Sequence, residues 1–392
     1  MLWPNSLGEF YATFTGFLGF KPNSAEGKTM GLAAYGFENA EIYTLLHEKI
    51  FQNSEADFLL KSKEFVASTW EERYKFLEET LNIKNLPIAK RENIDKIYQD
   101  IAYAVQSIIV EVMIKMLKFG QAQFPSKRLC LAGGLAMNVS MNGKIIKSGL
   151  IDDIFVQPLA SDNGSMLGAA ILKNIEVMGN TNFSIMNHLY YGSEYSNYEI
   201  KQALEERNLK YRYSEKPWEE AAKLIADGEI IAWYNGRMEA GARALGNRSI
   251  ISNPCDPKIK DIINDIKNRE KWRPLAISIL DEYKEEYLEG NISHCARFMI
   301  VTHVVKPEMR DTIPSALHID NTTRPQVVIK EYNEPYYNLI SEFNKLTGIP
   351  LVINTSLNDR GEPIVENPIQ AIDFFLKSDL KALFLQNYII KK

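Results

Sequence analysis

An α/β fold follows from three features of this 392-residue sequence: strand-like apolar runs alternate with helix-period segments, glycine turns join them, and no repeat or low-complexity tract interrupts them. The alternation lapses between about residues 174 and 198, in "NIEVMGNTNFSIMNHLYYGSEYSNY", where Asn, Ser and Gly are scattered among aromatics. A boundary is expected there, giving domains over residues 1–178 and 200–392.

The elements are justified in chain order. The opening "MLWPNSLGEFYATFTGFLGF" has no basic residue before its apolar part and carries Glu9 inside it, so it reads as an amphipathic core segment and not as a leader. Residues 94–119 place apolar side chains at 97, 101, 105, 108 and 112, with Asp95 as a candidate cap and Gly120 as a stop, which predicts a helix. Leu129–Ala132 reads as a buried strand, Gly133-Gly134 as a tight turn, and the residues beyond as a helix start. The unit repeats in "DIFVQPLASDNGSMLGAAIL", with a strand ending near Gln157, a polar loop from Ser161 to Gly164 and a helix of small residues. In the second half, helices are expected at "PWEEAAKLIADG", 257–268, 335–347 and 367–377, and strands at "EIIAWY", "PLAISIL", "RFMIVTHVV", "IPLVIN" and "ALFL".

Composition narrows the function classes. A formal charge of −5 and a pI of about 5.8 give no global basic field for nucleic acid or an anionic membrane, so neither partner is expected. No stretch approaches the ~18 apolar residues of a bilayer span. Cys130, Cys255 and Cys295 form no CxxC pair, which fits a reducing compartment, and a cytoplasmic location is expected. The five histidines include no HxxxH or HExxH pair, and there is no GxSxG elbow, so neither a self-contained zinc centre nor acyl-enzyme chemistry is indicated.

Positive charge is instead local. From Arg237 to Arg273 nine Lys or Arg stand against five Asp or Glu, and "GRMEAGARALGNRSI" sets three arginines among glycines that a helix would not favour. Arg243, Arg248, Lys267 and Arg273 are candidates for holding an anion, whereas Lys258, Lys260 and Lys271 read as solvated surface. Glu239 has three open roles: orienting an arginine, meeting a substrate amide, or balancing charge. A second candidate is "LVINTSLNDRGEPIV", where Asn354, Thr355 and Ser356 end a buried strand, the position at which α/β folds bind ligands, although turn chemistry accounts for the same residue types. Glycine turns at "LAGGLAMN" and "SDNGSMLG" can present N–H groups to phosphates, and Asp162 reads either as a helix cap or as a metal ligand.

Taken in order, "SLGEFYATFTGFLGF", "GKTMGLAAYG", "LAGGLAMNVSMNGKI", "SDNGSMLGAA", "GRMEAGARALGNRSI", "KNREKWRPLA", "HIDNTTRPQVV" and "NTSLNDRGEPIV" resemble the O-carbamoyltransferases of the nodulation and antibiotic-biosynthesis type, over nearly the whole chain. The resemblance implies a partial actin-like nucleotide-binding lobe followed by a YrdC-like α/β domain. It implies that the second domain makes carbamoyl-adenylate from carbamoyl phosphate and ATP, and that the first passes the carbamoyl group to a hydroxyl of a sugar or natural product. Arg243, Lys267 and Arg273 then take the catalytic positions, and together with Arg324, Asn354 and Ser356 they bind carbamoyl phosphate and the adenylate. Gly133, Gly134 and Asn138 match the nucleotide loop of the actin-like lobe, and Asp162 matches a metal-binding aspartate, for Mg or another divalent ion, Fe included. Members of the family begin with a further lobe carrying an HxxxH motif, which leaves three readings of this chain: a separately encoded N-terminal partner, the favoured one, a truncated gene, or a chain that works as an adenylate-forming half. The alternatives are a tRNA threonylcarbamoyl-type enzyme and a non-catalytic nucleotide-binding subunit.

Overall fold

The computed structural model describes residues 6–52, 59–60, 69–84 and 94–392; the first five residues of the opening segment lie outside the described residues. Chain contacts group residues 1–156 and 157–392 into two compact units.

In the first unit, Ser6 accepts a hydrogen bond from the Glu9 N–H and starts the helix Leu7–Phe17, which is buried around most of its circumference. The segment is therefore a core helix, and Glu9, its one charge, pairs with Arg73 at 2.7 Å. Short helices Glu26–Ala33, Ala40–Ile50 and Trp70–Leu81 accompany it, with an antiparallel pair β1 (Phe51–Gln52) and β2 (Leu59–Leu60). The periodic segment forms the helix Lys96–Gln123, whose buried stripe includes Ile101, Val105, Ile108 and Val112. Strands β3 (Arg128–Leu131) and β4 (Asp153–Val156) pair in parallel, connected through the helix Val139–Lys147.

The second unit opens with the helix Ser165–Met178 and is built on one eight-stranded sheet. Its strands are β5 (Arg212–Tyr213), β6 (Ile231–Tyr234), β7 (Arg248–Ser252), β8 (Ala276–Leu280), β11 (Pro325–Val328), β12 (Leu351–Ser356), β13 (Ala382–Leu385) and β14 (Tyr388–Lys391). The order across the sheet is β11-β8-β12-β7-β6-β13-β14-β5. Only β11–β8 and β6–β13 are parallel pairs, and the rest are antiparallel. The helices Pro217–Ala226 and Glu334–Thr347 contribute Ala221, Ile225, Leu339 and Phe343 to a core shared with Trp233, Ile251, Val352 and Phe384 of the sheet. Helices Asn197–Glu206, Ile259–Ile266, Lys284–Tyr287 and Pro368–Lys377 complete the unit.

The expected strand at "RFMIVTHVV" is mostly absent: residues His294–Phe298 form a 3-10 turn, Met299 takes φ 54°, and only β9 (His303–Val304) extends, paired with β10 (Thr322–Thr323). The left-handed Met299 breaks the strand that its apolar neighbours suggest. His303 is 5% exposed, and burial lowers its pKa to about 4. Its folded pKa lies below the unfolded value near 6.5, so stability is retained above pH 6.5 and lost as pH falls toward 4. The stability of the parent relative to a His303→Gln variant should decline by about 3 kcal/mol over that range in chemical unfolding.

Candidate functional site

Mixed strand directions gather the basic residues at one end of the sheet. The register sets Tyr234, the last residue of β6, against Arg248, the first of β7, so residues 235–247 form the loop closing that hairpin. Ser356, at the carboxyl end of β12, pairs with Ser249, while Asn354 lies opposite Ala276 at the start of β8. The segment Lys267–Pro274 enters β8 from this same end, and Arg324 precedes β11, the parallel neighbour of β8.

The loop is held from both sides of its backbone. Glu239 is 3% exposed, and its Oε1 accepts from the N–H groups of Leu245 (2.6 Å), Asn247 (2.7 Å) and Arg248 (3.2 Å). Ser249 Oγ receives the Gly246 N–H at 3.1 Å. On the carbonyl side, Leu245 accepts from Gln326 Nε2 (2.6 Å) and Tyr190 OH (2.8 Å), and Ala244 from Asn354 Nδ2 (3.3 Å). Gly246 takes φ 97°, and a Cβ there would run into the Tyr336 ring, so the loop can seat this close to the helix only with glycine.

Arg243 rises from this fixed turn, half-buried, and its Nε meets no acceptor. Arg269 Nη2 and Arg324 Nε are likewise buried without an acceptor. Burial, followed by the Arg273 charge, lowers the pKa of Arg243 to about 10 and that of Arg269 to about 9. Arg324 is lowered further, by burial and then by Arg243, Arg269 and Arg273. The Arg273 charge acts on each of the other three guanidiniums, and among the described residues Glu270 is the one carboxylate whose charge offsets the cluster, at Arg269 and Arg273. Such a cluster is unfavourable alone and is relieved by an anion with several oxygens.

Lys267 adopts a different arrangement. Its buried ammonium donates to the Ser356 carbonyl, to Ser356 Oγ (3.2 Å), and to the carbonyl (3.0 Å) and Oδ1 (2.8 Å) of Asn358. It ties the β12 exit turn to the basic segment, and burial, then Arg269 and Arg273, holds its pKa well below the usual lysine range. Asn264, fully buried on the helix Ile259–Ile266, braces that segment: it donates to the carbonyls of Lys271 (3.0 Å) and Arg273 (3.1 Å) and accepts from Arg269 Nε at 2.5 Å.

Arg248 does not join the cluster. As the first residue of a fully buried strand, it stacks on Tyr234 at 3.6 Å and donates to the carbonyls of Asn235 (2.8 Å), Asn247 (2.9 Å) and Gly236 (3.1 Å). Its sequence neighbours suggest an anion ligand, but its strand position turns it into a pin for the loop. Asn354, 1% exposed, directs its amide nitrogen to Ala244, Ser278 and Gln326 beneath the loop. Arg269 and Asn358 were missed in the sequence; the available signal was their two-residue spacing from Lys267 and Ser356. A small, partly open pocket lined by His188, Tyr190, Leu245, Arg297, Gln326 and Tyr332 includes none of the four guanidiniums.

In the first unit, Gly133 takes φ 94° and, with Gly134, is exposed at the end of β3. Asn138 is 7% exposed; it caps the helix Val139–Lys147 through the Met141 N–H at 2.9 Å and exchanges hydrogen bonds with Gln106. Its side chain shapes the turn and leaves the glycine backbone as the exposed polar surface. In the second unit, Asp162 is exposed and makes no capping hydrogen bond. Among the described residues no group of three or more His, Cys, Asp or Glu side chains could hold a metal, so a single carboxylate is the donor set and does not fit an ion by itself.

Two family models match the chain: "Carbamoyltransferase N-terminus" over residues 1–171 and "Carbamoyltransferase C-terminus" over residues 222–392. An uncharacterized protein of Methanocaldococcus jannaschii is 37% identical over 99% of this chain and 62% of its own length. Nodulation protein NolO of Bradyrhizobium diazoefficiens is 32% identical over 99% of this chain and 69% of its own length. The chain thus spans roughly two thirds of the length of these relatives. The crystal structure of full-length HypF in its phosphate- and nucleotide-bound form aligns with 44% of this chain and 25% of its own, at 19% identity and a TM-score of 0.32.

Proposed function

This chain belongs to the carbamoyltransferase family, and we propose that its second unit forms carbamoyl-adenylate from carbamoyl phosphate and ATP. Water releases phosphate from carbamoyl phosphate, the carbamate oxygen displaces pyrophosphate from the ATP α-phosphorus, and a hydroxyl of a sugar or related small molecule then takes the carbamoyl group with release of AMP. The observation that carries the reading is the grouping of Arg243, Arg269, Arg273 and Arg324 around a single offsetting carboxylate, Glu270, with buried donors on Arg243, Arg269 and Arg324 that meet no acceptor. Adenylation passes through phosphoryl oxygens with concentrated charge, and preorganised cations stabilise that charge more than a side-chain nucleophile would. Arg243 and Arg273 face the transferring phosphates, Arg324 holds the carbamoyl or adenylate end, and Lys267 sets the Ser356 turn against them. Asn354 acts through the loop above it.

The turn at Gly133 and Gly134, shaped by Asn138, is the nucleotide-binding element of the first domain, which spans residues 1–178 in this reading, with 200–392 as the adenylating domain. Asp162 would supply one ligand to a metal.

The chain should exchange labelled pyrophosphate into ATP only when carbamoyl phosphate is present. Arg273→Ala should lower that exchange by roughly 10- to 100-fold, the worth of about one charge-assisted hydrogen bond. Exchange independent of carbamoyl phosphate, or undiminished in the variant, would refute the assignment.

A further inference from the structure

The backbone of the turn from Ala244 to Arg248 is hydrogen-bonded by side chains of the protein itself, with Glu239 at their centre. Glu239 gathers three N–H groups of the turn on a single buried oxygen, while Gln326, Tyr190 and Asn354 take up its carbonyls. The turn's backbone is thus engaged on both sides, yet the Arg243 Nε it carries meets no acceptor. A cation held on a satisfied turn, with its own donor unsatisfied, is arranged before its partner arrives.

We propose that Glu239 is a positioning residue: its carboxylate fixes the turn from Leu245 to Arg248 and so aims Arg243 at a polyphosphate. This inference rests on the adenylation reading for the ligand, but not for the geometry. The position of the carboxylate makes the idea testable by sign. Glu239 is a negative charge beside an anion site, so deleting it should tighten anion binding if Coulomb forces alone governed the effect. If the geometry of the turn governs, deletion should weaken it.

The experiment uses the full chain, inorganic pyrophosphate as the probe, and two variants. Glu239→Ala is expected to weaken pyrophosphate binding by at least thirty-fold in calorimetry, counted on the folded fraction. Glu239→Gln keeps an accepting oxygen and is expected to restore affinity to within about threefold of the parent. Hydrogen–deuterium exchange of the Leu245, Asn247 and Arg248 amides should accelerate in the alanine variant and stay slow in the glutamine variant. Equal or tighter binding by Glu239→Ala, or amides that remain protected in it, would overturn the proposal. Should the parent fail to bind pyrophosphate, the adenylation reading falls, while the amide exchange still decides whether Glu239 positions the turn.

Discussion

Replacing Arg243 with alanine is expected to lower carbamoyl-phosphate-dependent exchange about 100-fold while leaving thermal stability unchanged or raised. The loss follows from removing roughly 1.5 to 3 kcal/mol per charge-assisted hydrogen bond at the transferring phosphates. The stability follows from the same cluster: Arg243 lies beside Arg273 with its pKa lowered to about 10, so the folded state holds this cation at a cost. Because the folded pKa lies below the unfolded one, that cost is present in full at neutral pH and eases only as pH rises through about 10. Thermal unfolding paired with the exchange assay reads both signs at once. Pyrophosphate should also raise the Tm of the parent more than that of the variant, since only a ligand bound to the native state stabilises it. A variant that loses stability and keeps its exchange would show Arg243 to be structural.

Lys267→Met should have the opposite pattern, with stability and activity lost together. The methionine fills most of the volume but donates nothing to the acceptors of Ser356 and Asn358, which are half-buried. The Ser356 carbonyl keeps the Asn358 N–H and Asn358 Oδ1 keeps the Ser356 hydroxyl, so the Asn358 carbonyl is the acceptor that loses its donor, and a loss of about 1 to 3 kcal/mol is expected in urea unfolding. Exchange should fall to background even at temperatures where the variant is folded, because the β12 exit turn loses its tie to the basic segment. Retained exchange in a folded Lys267→Met chain would remove Lys267 from the site.

The contrast between Arg243 and Lys267 marks where the sequence was informative. Glycines around an arginine announced a loop with a special task, and the helices at 217–226 and 334–347 and the strands at 276–280 and 351–356 follow from period and turn residues. What stayed hidden depends on pairing. Arg248 looked like a loop cation because strand β7 is only five residues long and begins on a charge. The rule that ligands gather at carboxyl strand ends located Ser356 but gave no reason to expect Arg273 and Arg324. Those two stand before their strands, and they reach the site because β8 runs antiparallel to β12 and parallel to β11. The bracing by Asn264 and the triple acceptance by Glu239 are likewise contacts of the folded chain, which one-dimensional spacing does not encode.

The place of β13 and β14 sets an order of assembly during synthesis. β6, which leads into the Arg243 loop, has β13 as one of its two neighbours, and the parallel register joins Ile231–Tyr234 to Ala382–Leu385. β14 in turn links β13 to β5. A ribosome therefore finishes every cationic residue of the cluster before it makes the strands that complete the sheet beneath the loop. The nascent unit carries its positive charges on an unfinished sheet until residues 382–391 emerge, and a chain stopped before them would hold all the site's chemistry without the frame that aims it.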